Sequence, residues 1–180
     1  MTHTESLNMN NIWLNIAFVV ACVFAQASCE WLQYGGKVYY FSHHDRDAKT
    51  FNDAENACNE QHGGSRLVLI NSQAENRFLA LNGGTNNQLW IGLVCKRVSC
   101  SVDELWWPDD STISYYKGPD EIAGGNALAL NTANGGWPAY ATEDTHFYIC
   151  ERVDTCLSSP CLNGGTCLLN NATGNYSCEW

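Results

Sequence analysis

The sequence predicts an α+β fold whose function lies in a long loop. Two segments with helical apolar spacing come early, at 51–64 and 72–81, and short apolar, strand-like segments come late. An irregular stretch rich in Trp, Tyr, Asp and Gly, at 94–126, separates the two groups. A loop of this length in a compact domain is usually functional, so we expect the function there.

Both helices are predicted from periodicity together with end signals. Segment 51–64 ends at a glycine pair and places four residues on one helical face: Phe51, Ala54, Ala57 and Cys58. Segment 72–81 opens with a capping box formed by Ser72 and Glu75. The residues that we expect to point inward from this helix are Phe78 and Leu81.

Strands are predicted where short apolar or aromatic runs lie between turn residues. "KVYYF" (37–41) is the first of these, and "LVLI" (67–70) is a short buried one. "QLWIGL" (88–93) is apolar again, and the domain closes with "ALALNT" (127–132) and "HFYICERV" (146–153).

Length and charge limit the class of protein. A chain of 180 residues has room for one ordinary domain and a small addition. The net charge is −10, and only nine Lys and Arg residues are scattered along the chain. Nucleic-acid binding needs clustered Lys and Arg to neutralise phosphates, so we exclude it.

The amino-terminal segment predicts secretion. Residues 12–27 form an apolar run that is shorter than the roughly 20 residues of a membrane span. The run ends in the small-residue pattern Ala25-Gln26-Ala27, so residues 1–27 are predicted to be a signal peptide and Met9 is a candidate start. An uncut anchor is the alternative. Cleavage near Ser28 would deliver the chain to an oxidising extracellular space.

The cysteines fall into two populations. Of ten, Cys22 leaves with the signal peptide, and four of the remaining nine crowd the last 25 residues: Cys156, Cys161, Cys167 and Cys178. Dense cysteines in a short secreted segment replace a core that the segment is too small to build. The competing interpretation is a metal site, but the paired spacing of zinc ligands is absent. We therefore expect a domain boundary near Asp154.

Residues 29–153 resemble a C-type lectin-like domain. The resemblance is carried by a helix bearing Cys58, then "LVLINSQAENRFL", "LWIGL" and "FYICE", in that order. It implies a disulfide between Cys58 and Cys150, which would constrain the unfolded chain by about 4–5 kcal/mol in the entropy model. It also assigns several residues to the core and not to a site: Phe51, Phe78, Trp90, Gly92, Leu93 and Ile149.

Three departures from the family concern disulfides. Leu128 and Thr142 stand where the second family bridge would be, so that bridge is absent. Cys95 and Cys100 resemble a local replacement that closes the turn after "WIGL". Cys29 is left without the usual partner; it links two chains into a dimer, pairs with a missing downstream cysteine, or is free.

Residues 154–180 resemble an epidermal-growth-factor-like module, through the cysteine spacing, the "NGGTC" turn and Tyr176. The resemblance implies the pairs Cys156–Cys167 and Cys161–Cys178. Trp180 stands where a fifth cysteine is expected, so the module is truncated: the sequence is a fragment, or its end is an artefact of gene prediction. Asn171 and Asn175 begin two sequons for N-glycans.

The resemblance also locates a calcium-dependent sugar site, and most of its ligands are missing here. Calcium prefers about 6–8 oxygen ligands. Gly118-Pro119-Asp120 replaces the first ligand triplet, Asn126 replaces a later Glu, and Pro138-Ala139 replaces the final Asn-Asp pair. Asp120 is the one charged ligand retained, and Glu121 is a neighbour of undetermined direction. We therefore expect no cofactor, with calcium held weakly if at all.

Aromatic residues of the loop region are the remaining binding candidates. Trp137 is expected to be a hydrophobic plug beneath the loop, with a sugar-stacking platform as the alternative. Trp107 and Tyr115 are expected to fill the loop's own small core. The candidate ligand-binding residues are accordingly Pro119, Asp120, Glu121, Asn126, Trp137 and Tyr140.

No catalytic arrangement is predicted. His43 and His44 are adjacent, and if they lie on a strand they point to opposite faces and cannot share a ligand. His62 and His146 are not near a serine or cysteine in a nucleophile setting. We therefore expect a polar surface turn at His43–His44 and no enzyme.

Two functions remain. The first is an extracellular lectin that binds carbohydrate or glycoprotein ligands with a degenerate calcium site. The second is a calcium-independent protein-adhesion module, because the domain order is similar to that of selectin-type and thrombomodulin-type ectodomains. The expected partners are a glycan or an extracellular protein, and any membrane attachment is expected from a segment downstream of Trp180. The predicted location is secreted or on the outer face of the plasma membrane.

Overall fold

Strand β10 (Phe147–Val153) lies at the centre of an eight-stranded sheet. The computed structural model describes residues 31–61, 65–97, 99–156, 160–169 and 175–180. The predicted signal peptide and Cys29 lie outside these residues. Within them, no helix is both long and apolar enough to cross a lipid bilayer.

The other elements are short and alternate along the chain. The helices are α1 (Phe51–Gln61) and α2 (Gln73–Asn82), with 3₁₀ turns at Ser42–His44 and Val102–Glu104. The strands before the loop are β1 (Trp31–Tyr34), β2 (Lys37–Phe41), β3 (Arg66–Leu67) and β4 (Gln88–Cys95). The strands within and after the long loop are β5 (Cys100–Ser101), β6 (Leu105–Trp106), β7 (Glu121–Ile122), β8 (Ala127–Asn131) and β9 (Ala139–Tyr140). The last hairpin is β11 (Thr166–Leu169) and β12 (Tyr176–Glu179). The predicted α+β class is confirmed.

The main sheet has the order β1-β2-β10-β4-β8-β9, with β3 on β10 and β6 on β4. β10 is antiparallel to β2 over most of its length and parallel to β4 at Phe147 and Tyr148. Gly35 and Gly36 close the β1–β2 hairpin, and both have positive φ angles, as a two-residue hairpin turn of this type requires. The sheet therefore places β4 and β8 directly beneath the long loop.

Both faces of the sheet are buried, and the period of two along each strand assigns side chains to two cores. Tyr39, Leu89 and Ile149 belong to the core beneath the loop and α2. Tyr40, Trp90 and Tyr148, one residue along on the same strands, belong to the core beneath α1. The expected core residues are buried, except that Phe78 is half-buried and stacks on Tyr34 with 4.5 Å between ring centroids.

Helix α1 is fastened to β10 by a disulfide. Cys58 and Cys150 are fully buried and their Cα atoms lie 5.4 Å apart, so the implied pairing is confirmed. The helix is described to Gln61, and the glycine pair at which it was predicted to end lies in residues 62–64, outside the described part of the chain.

The prediction of a strand over 67–70 is wrong, although the residues are buried. The strand ends at Leu67, and Val68 bridges two different strands: its N–H donates to the Ile149 carbonyl, and its carbonyl accepts from Gly92. A Cβ on Gly92 would lie 3.2 Å from the Leu67 carbonyl oxygen, so only glycine permits this crossing without displacement.

Helix α2 follows its predicted start but not its predicted inward face. Ser72 caps the helix by accepting from the Glu75 N–H at 3.1 Å. The Glu75 carboxylate does not accept from the Ser72 N–H in return, so only half of the capping box forms. Leu81 is 75 % exposed, and the prediction that it points inward is wrong. Leu79 is the buried leucine, and at about 100° per residue Leu81 lies about 200° further round the helix.

Glu75 belongs to a buried charged cluster around Lys37. The Lys37 ammonium donates to Glu75 at 3.0 Å, to Glu151 at 2.7 Å and to the Leu69 carbonyl at 3.2 Å. The Tyr39 hydroxyl also donates to Glu75, at 2.7 Å. Burial lowers the pKa of Lys37, but the charges of the two carboxylates more than offset that effect, and the pKa lies above its ordinary value.

The other predicted disulfides, one a departure from the family and two implied by the second resemblance, are also present. Cys95 and Cys100 close the turn after β4. Cys156 pairs with Cys167, and Cys161 pairs with Cys178. This carboxyl-terminal segment exposes most of its large apolar side chains: Leu162, Leu168, Tyr176 and Trp180. It therefore depends on its disulfides and not on a core.

We expect Lys37→Met to lower the free energy of unfolding by about 3 kcal/mol, because it leaves the buried Glu75 carboxylate without a counter-charge and leaves Glu151 with Arg66 alone. The matched control is Lys49→Met, whose pair with Asp47 is partly solvated and worth less than about 1 kcal/mol. Urea unfolding of the full chain measures both. Equal effects of the two substitutions would contradict the role of the cluster.

The same cluster predicts alkaline lability. Burial and the bond to Glu75 raise the pKa of Tyr39 far above that of a free tyrosine, and the pKa of Lys37 is raised too. Both groups stabilise the fold fully below their unfolded values of about 10, and this stability declines as pH rises toward the folded values. Between about pH 10 and 12 we expect the urea midpoint of the wild type to fall more steeply than that of Tyr39→Phe.

Candidate functional site

Trp137 is the centre of an aromatic cluster beneath the loop. It is only 1 % exposed, and three aromatic rings meet it edge-on, with centroids 5.6–6.4 Å away: Trp107, Tyr115 and Tyr116. Trp107 is fully buried and Tyr115 half-buried, as expected for the loop's small core. Trp137 therefore has the position of a plug, and its faces are not available for stacking on a ligand.

Asn76 of helix α2 fastens this cluster to the helix. Its side-chain oxygen accepts from the Trp137 indole N–H at 2.7 Å, and its amide nitrogen donates to the Gly135 carbonyl at 2.9 Å. Asn76 is itself buried. One side chain thus satisfies two buried polar groups of the loop region and couples the loop to α2.

The turn 131–136 is held by its own hydrogen bonds. Asn131 N–H donates to the Gly136 carbonyl, and the side-chain oxygens of Asn131 and Asn134 accept from Ala133 and Gly136. Lys117 adds its ammonium, which donates to the Asn134 carbonyl at 2.7 Å, while its own carbonyl accepts from Trp137 N–H. These bonds set the direction of the groups that the turn presents.

An open cleft of about 490 Å³ lies over the turn. Its walls carry an ammonium, a carboxylate, two amides and two proline rings, contributed by Lys117, Glu121, Asn131, Asn134, Pro119 and Pro138. A cleft of this size, with both donors and acceptors, is sufficient for a small polar ligand.

The residues of this cleft do not fit a calcium ion. The Tyr116 hydroxyl donates to the Pro119 carbonyl at 2.6 Å and fills the space that a side chain at Gly118 would need. A Cβ at Gly118 would collide with that hydroxyl. Pro138 and Ala139 line the cleft without a side-chain oxygen. Among the residues that the structure describes, no three His, Cys, Asp or Glu side chains group to hold a metal ion.

The other predicted ligand residues are dispersed. Asp120 is exposed, and its charge adds to burial in raising the pKa of Tyr116 to about 12. Asn126 is half-buried and its backbone bonds to Cys95 and Tyr140. The Tyr140 ring packs on His146 and Trp90 at the core beneath α1, with centroids 4.3 and 6.1 Å away. Pro119, Glu121 and Trp137 line the same cleft, whereas Asn126 and Tyr140 are not among its lining residues.

The two adjacent histidines are closer than we expected. Residues 42–44 form a 3₁₀ turn and not a strand, so the rings of His43 and His44 lie side by side with 4.0 Å between centroids. The predicted turn at His43–His44 is confirmed, and the opposite-face argument, which applied to a strand, does not hold for it. Burial, and then the neighbouring His44, lowers the pKa of His43. The Asp45 carboxylate accepts from the Tyr40 hydroxyl at 2.6 Å.

Sequence reasoning missed three residues of the site: Asn76, Tyr116 and Lys117. Lys117 did carry a signal, since it is the only Lys or Arg between residues 98 and 151. Tyr116 was indistinguishable from its aromatic neighbours. Asn76 lies inside a helix, where an asparagine is usually solvated, and nothing local reveals that its partners are 59 and 61 residues away.

The family model described as the lectin C-type domain matches residues 47–152. The human protein "C-type lectin domain family 17, member A" is 32 % identical over 130 residues, covering 70 % of this chain and 32 % of that protein. This chain therefore spans about a third of that relative.

Two further proteins show the range of the similarity. A snaclec anticoagulant protein from Deinagkistrodon acutus is 31 % identical over 71 % of this chain and 85 % of that protein. The solved cow CD23 carbohydrate-recognition domain, determined in the presence of a GlcNAc2Man3 oligosaccharide, superposes with a TM-score of 0.60 at 27 % identity. The superposition covers 72 % of this chain and 98 % of that one.

We expect calorimetry on the full chain to show no stoichiometric calcium uptake tighter than about 1 mM, the weak end for extracellular calcium modules. The physical reason is the lack of converging oxygens around Gly118 and Pro138. Tight uptake that is lost in Asp120→Ala, but kept in the matched exposed carboxylate variant Glu143→Ala, would overturn this conclusion.

Proposed function

The chain belongs to the C-type lectin domain family, a family of non-enzymatic recognition modules, and on that premise we propose that it binds an extracellular glycan or glycoprotein without calcium. The ligand would be held by the cleft of Lys117, Glu121 and Asn134, through side chains of the protein itself.

The observation that carries this proposal is the packing of Tyr116 against Gly118. The hydroxyl occupies the space of a missing side chain and is held there by the Pro119 carbonyl. A cation would have to displace a half-buried, hydrogen-bonded phenol before it met any oxygen ligand at that position. The cleft therefore supports recognition by ordinary hydrogen bonds.

The chemistry of the cleft favours a polyhydroxylated ligand. Sugar hydroxyl groups both donate and accept, and the cleft offers a Glu121 carboxylate as acceptor and an ammonium and amide N–H groups as donors. The Asn131 and Asn134 side-chain oxygens are already used inside the turn, so their amide nitrogens are the groups left for a ligand.

A polypeptide ligand is the second candidate. One relative with 31 % identity is, by its name, an anticoagulant protein. Pro119 is exposed where it lines the cleft, and such a surface supports contact with a protein as well as it supports contact with a sugar. A blank glycan array would favour this candidate over the first.

We also propose that the protein is secreted or displayed outside the cell, after removal of residues 1–27, and that 154–180 is an EGF-like module. The crossed disulfide pairs around the β11–β12 hairpin support the latter. Asn175 directly precedes β12 and is exposed, which supports its glycosylation. Asn171 lies outside the described residues. A disulfide-linked dimer through Cys29 would supply avidity to weak single sites.

A glycan array probed with the full chain, with and without a chelator, tests the function. We expect signals on defined sugars that change less than about twofold with chelator. Glu121→Gln should weaken them at least about fivefold, because a charge-assisted hydrogen bond is lost. The control Glu143→Gln, outside the cleft, should not. Signals abolished by chelator would contradict the proposal.

A further inference from the structure

A second groove, of about 260 Å³, lies between the outer face of α2 and the turn 131–136. It adjoins the cleft described above and shares two lining residues with it, Lys117 and Asn134. Its other polar lining residues are Gln73, Asn76 and Arg77 on α2 and Thr132 on the turn. Tyr115 and the exposed Leu81 are among its remaining lining residues.

The groove carries positive charge on a strongly acidic protein. The chain has 19 Asp and Glu residues, yet none lines this groove, whereas Arg77 and Lys117 both do. The adjoining cleft differs in this respect, because Glu121 lines it. A local field of one sign inside a groove favours a ligand of the opposite sign.

The other cations of the protein are mostly occupied. Lys37, Lys49, Arg66 and Arg97 form ion pairs, and Lys96 and Arg152 lie over tryptophan rings. Within the described part of the chain, Arg46, Arg77 and Lys117 are the cations that have neither an ion pair nor a ring contact. Two of these three face the same groove.

Both cations are well placed to bind an anionic group. The Lys117 ammonium donates one hydrogen bond to the Asn134 carbonyl. This bond fixes the position of the ammonium and leaves two N–H donors for a ligand. Arg77 is exposed on α2, and all five of its guanidinium donors are free in the described structure. Because Asn76 ties α2 to the turn, the two walls that carry the cations are held to each other.

We propose that this groove binds the anionic group, a carboxylate or a sulfate ester, of an acidic saccharide. The inference deepens the proposed function, on which it rests, by naming the ligand class. Its volume is just below the roughly 300–1,000 Å³ of ordinary ligand pockets, so it takes one end-group and not a whole oligosaccharide. The neutral part of the ligand would extend into the adjoining cleft.

An acidic polypeptide fits the groove less well. Peptides commonly add to an open strand edge or lay a helix in an apolar groove. The wall formed by 131–136 offers no such edge, since Asn131 N–H bonds to Gly136, Gly135 N–H bonds to Asn131, and Trp137 N–H bonds to Lys117. What remains is a set of convergent side-chain donors, which suits a compact anion.

The test measures binding of the full chain to immobilised 3′-sialyllactose, 3′-sulfolactose and neutral lactose by biolayer interferometry. We expect one or both acidic sugars to bind at least about tenfold more tightly than lactose, and the difference to shrink as salt rises. The two acidic sugars distinguish a carboxylate from a sulfate ligand. Equal binding of lactose, or no binding of either acidic sugar, overturns the inference.

Variants locate the site. Arg77→Gln and Lys117→Gln should each weaken binding of the acidic sugar about tenfold, because each removes a charge-assisted hydrogen bond. Arg46→Gln removes the same charge outside the groove and should change binding less than about twofold. Arg77 makes no hydrogen bond or ion pair within the described structure, so Arg77→Gln keeps the test valid even if Lys117→Gln fails to fold.

Three outcomes count against the inference. An equal loss in Arg46→Gln would show a general charge effect, and no loss in Arg77→Gln would place the ligand elsewhere. Competition by hexaglutamate as strong as that by 3′-sialyllactose would assign the groove to acidic polypeptides. Array signals on neutral sugars that do not depend on Arg77 would leave the proposed function standing while this inference falls.

Discussion

A single ammonium group, that of Lys37, organises the framework of this protein. It draws together carboxylates from the first turn of α2 and from β10, together with a carbonyl of the segment between β3 and α2. The cluster is partly buried, so each charge depends on the others, and Arg66 completes it by pairing with Glu151 at 3.1 Å. Because β10 is the central strand, this cluster sets where α2 lies on the sheet, and α2 in turn holds the loop.

The loop and the framework are joined by few, specific contacts. The aromatic cluster around Trp137 fills the loop from within, and Asn76 bonds it to α2 from beneath. The exposed residues above this cluster are then free to vary without loss of the fold, since the Cys58–Cys150 disulfide and the core beneath α1 lie elsewhere. The replacement of calcium ligands that the family resemblance implies at Gly118, Pro138 and Ala139 is compatible with an intact scaffold for this reason.

Most of the framework could be predicted from the sequence, because its signals are local or repeat with a period. Helical spacing predicted α1 and α2, and short apolar or aromatic runs predicted β2, β4, β8 and β10. The resemblance implied three of the disulfides, and the fourth, Cys95–Cys100, was predicted as a local replacement that departs from the family. The failures at Leu81 and Val68 depend on tertiary placement: which side of α2 meets the sheet, and which two strands a crossing segment bridges. The site was less predictable still. Tyr116, Lys117 and Asn76 act through partners chosen by the folded loop, and one sequence carries no record of those pairings.

The hold of Asn76 on the turn has a thermodynamic consequence for recognition. Side chains on α2 and on the turn belong to two segments far apart in sequence, and in a flexible loop they would have to be brought together at each encounter with a ligand, at a cost in conformational entropy. Here two buried hydrogen bonds, at 2.7 and 2.9 Å, already hold the two segments together in the folded protein. The conformational entropy is therefore lost during folding and not on binding. A ligand that binds as proposed would therefore require no loop closure, and even a few weak contacts would be translated into affinity with little loss.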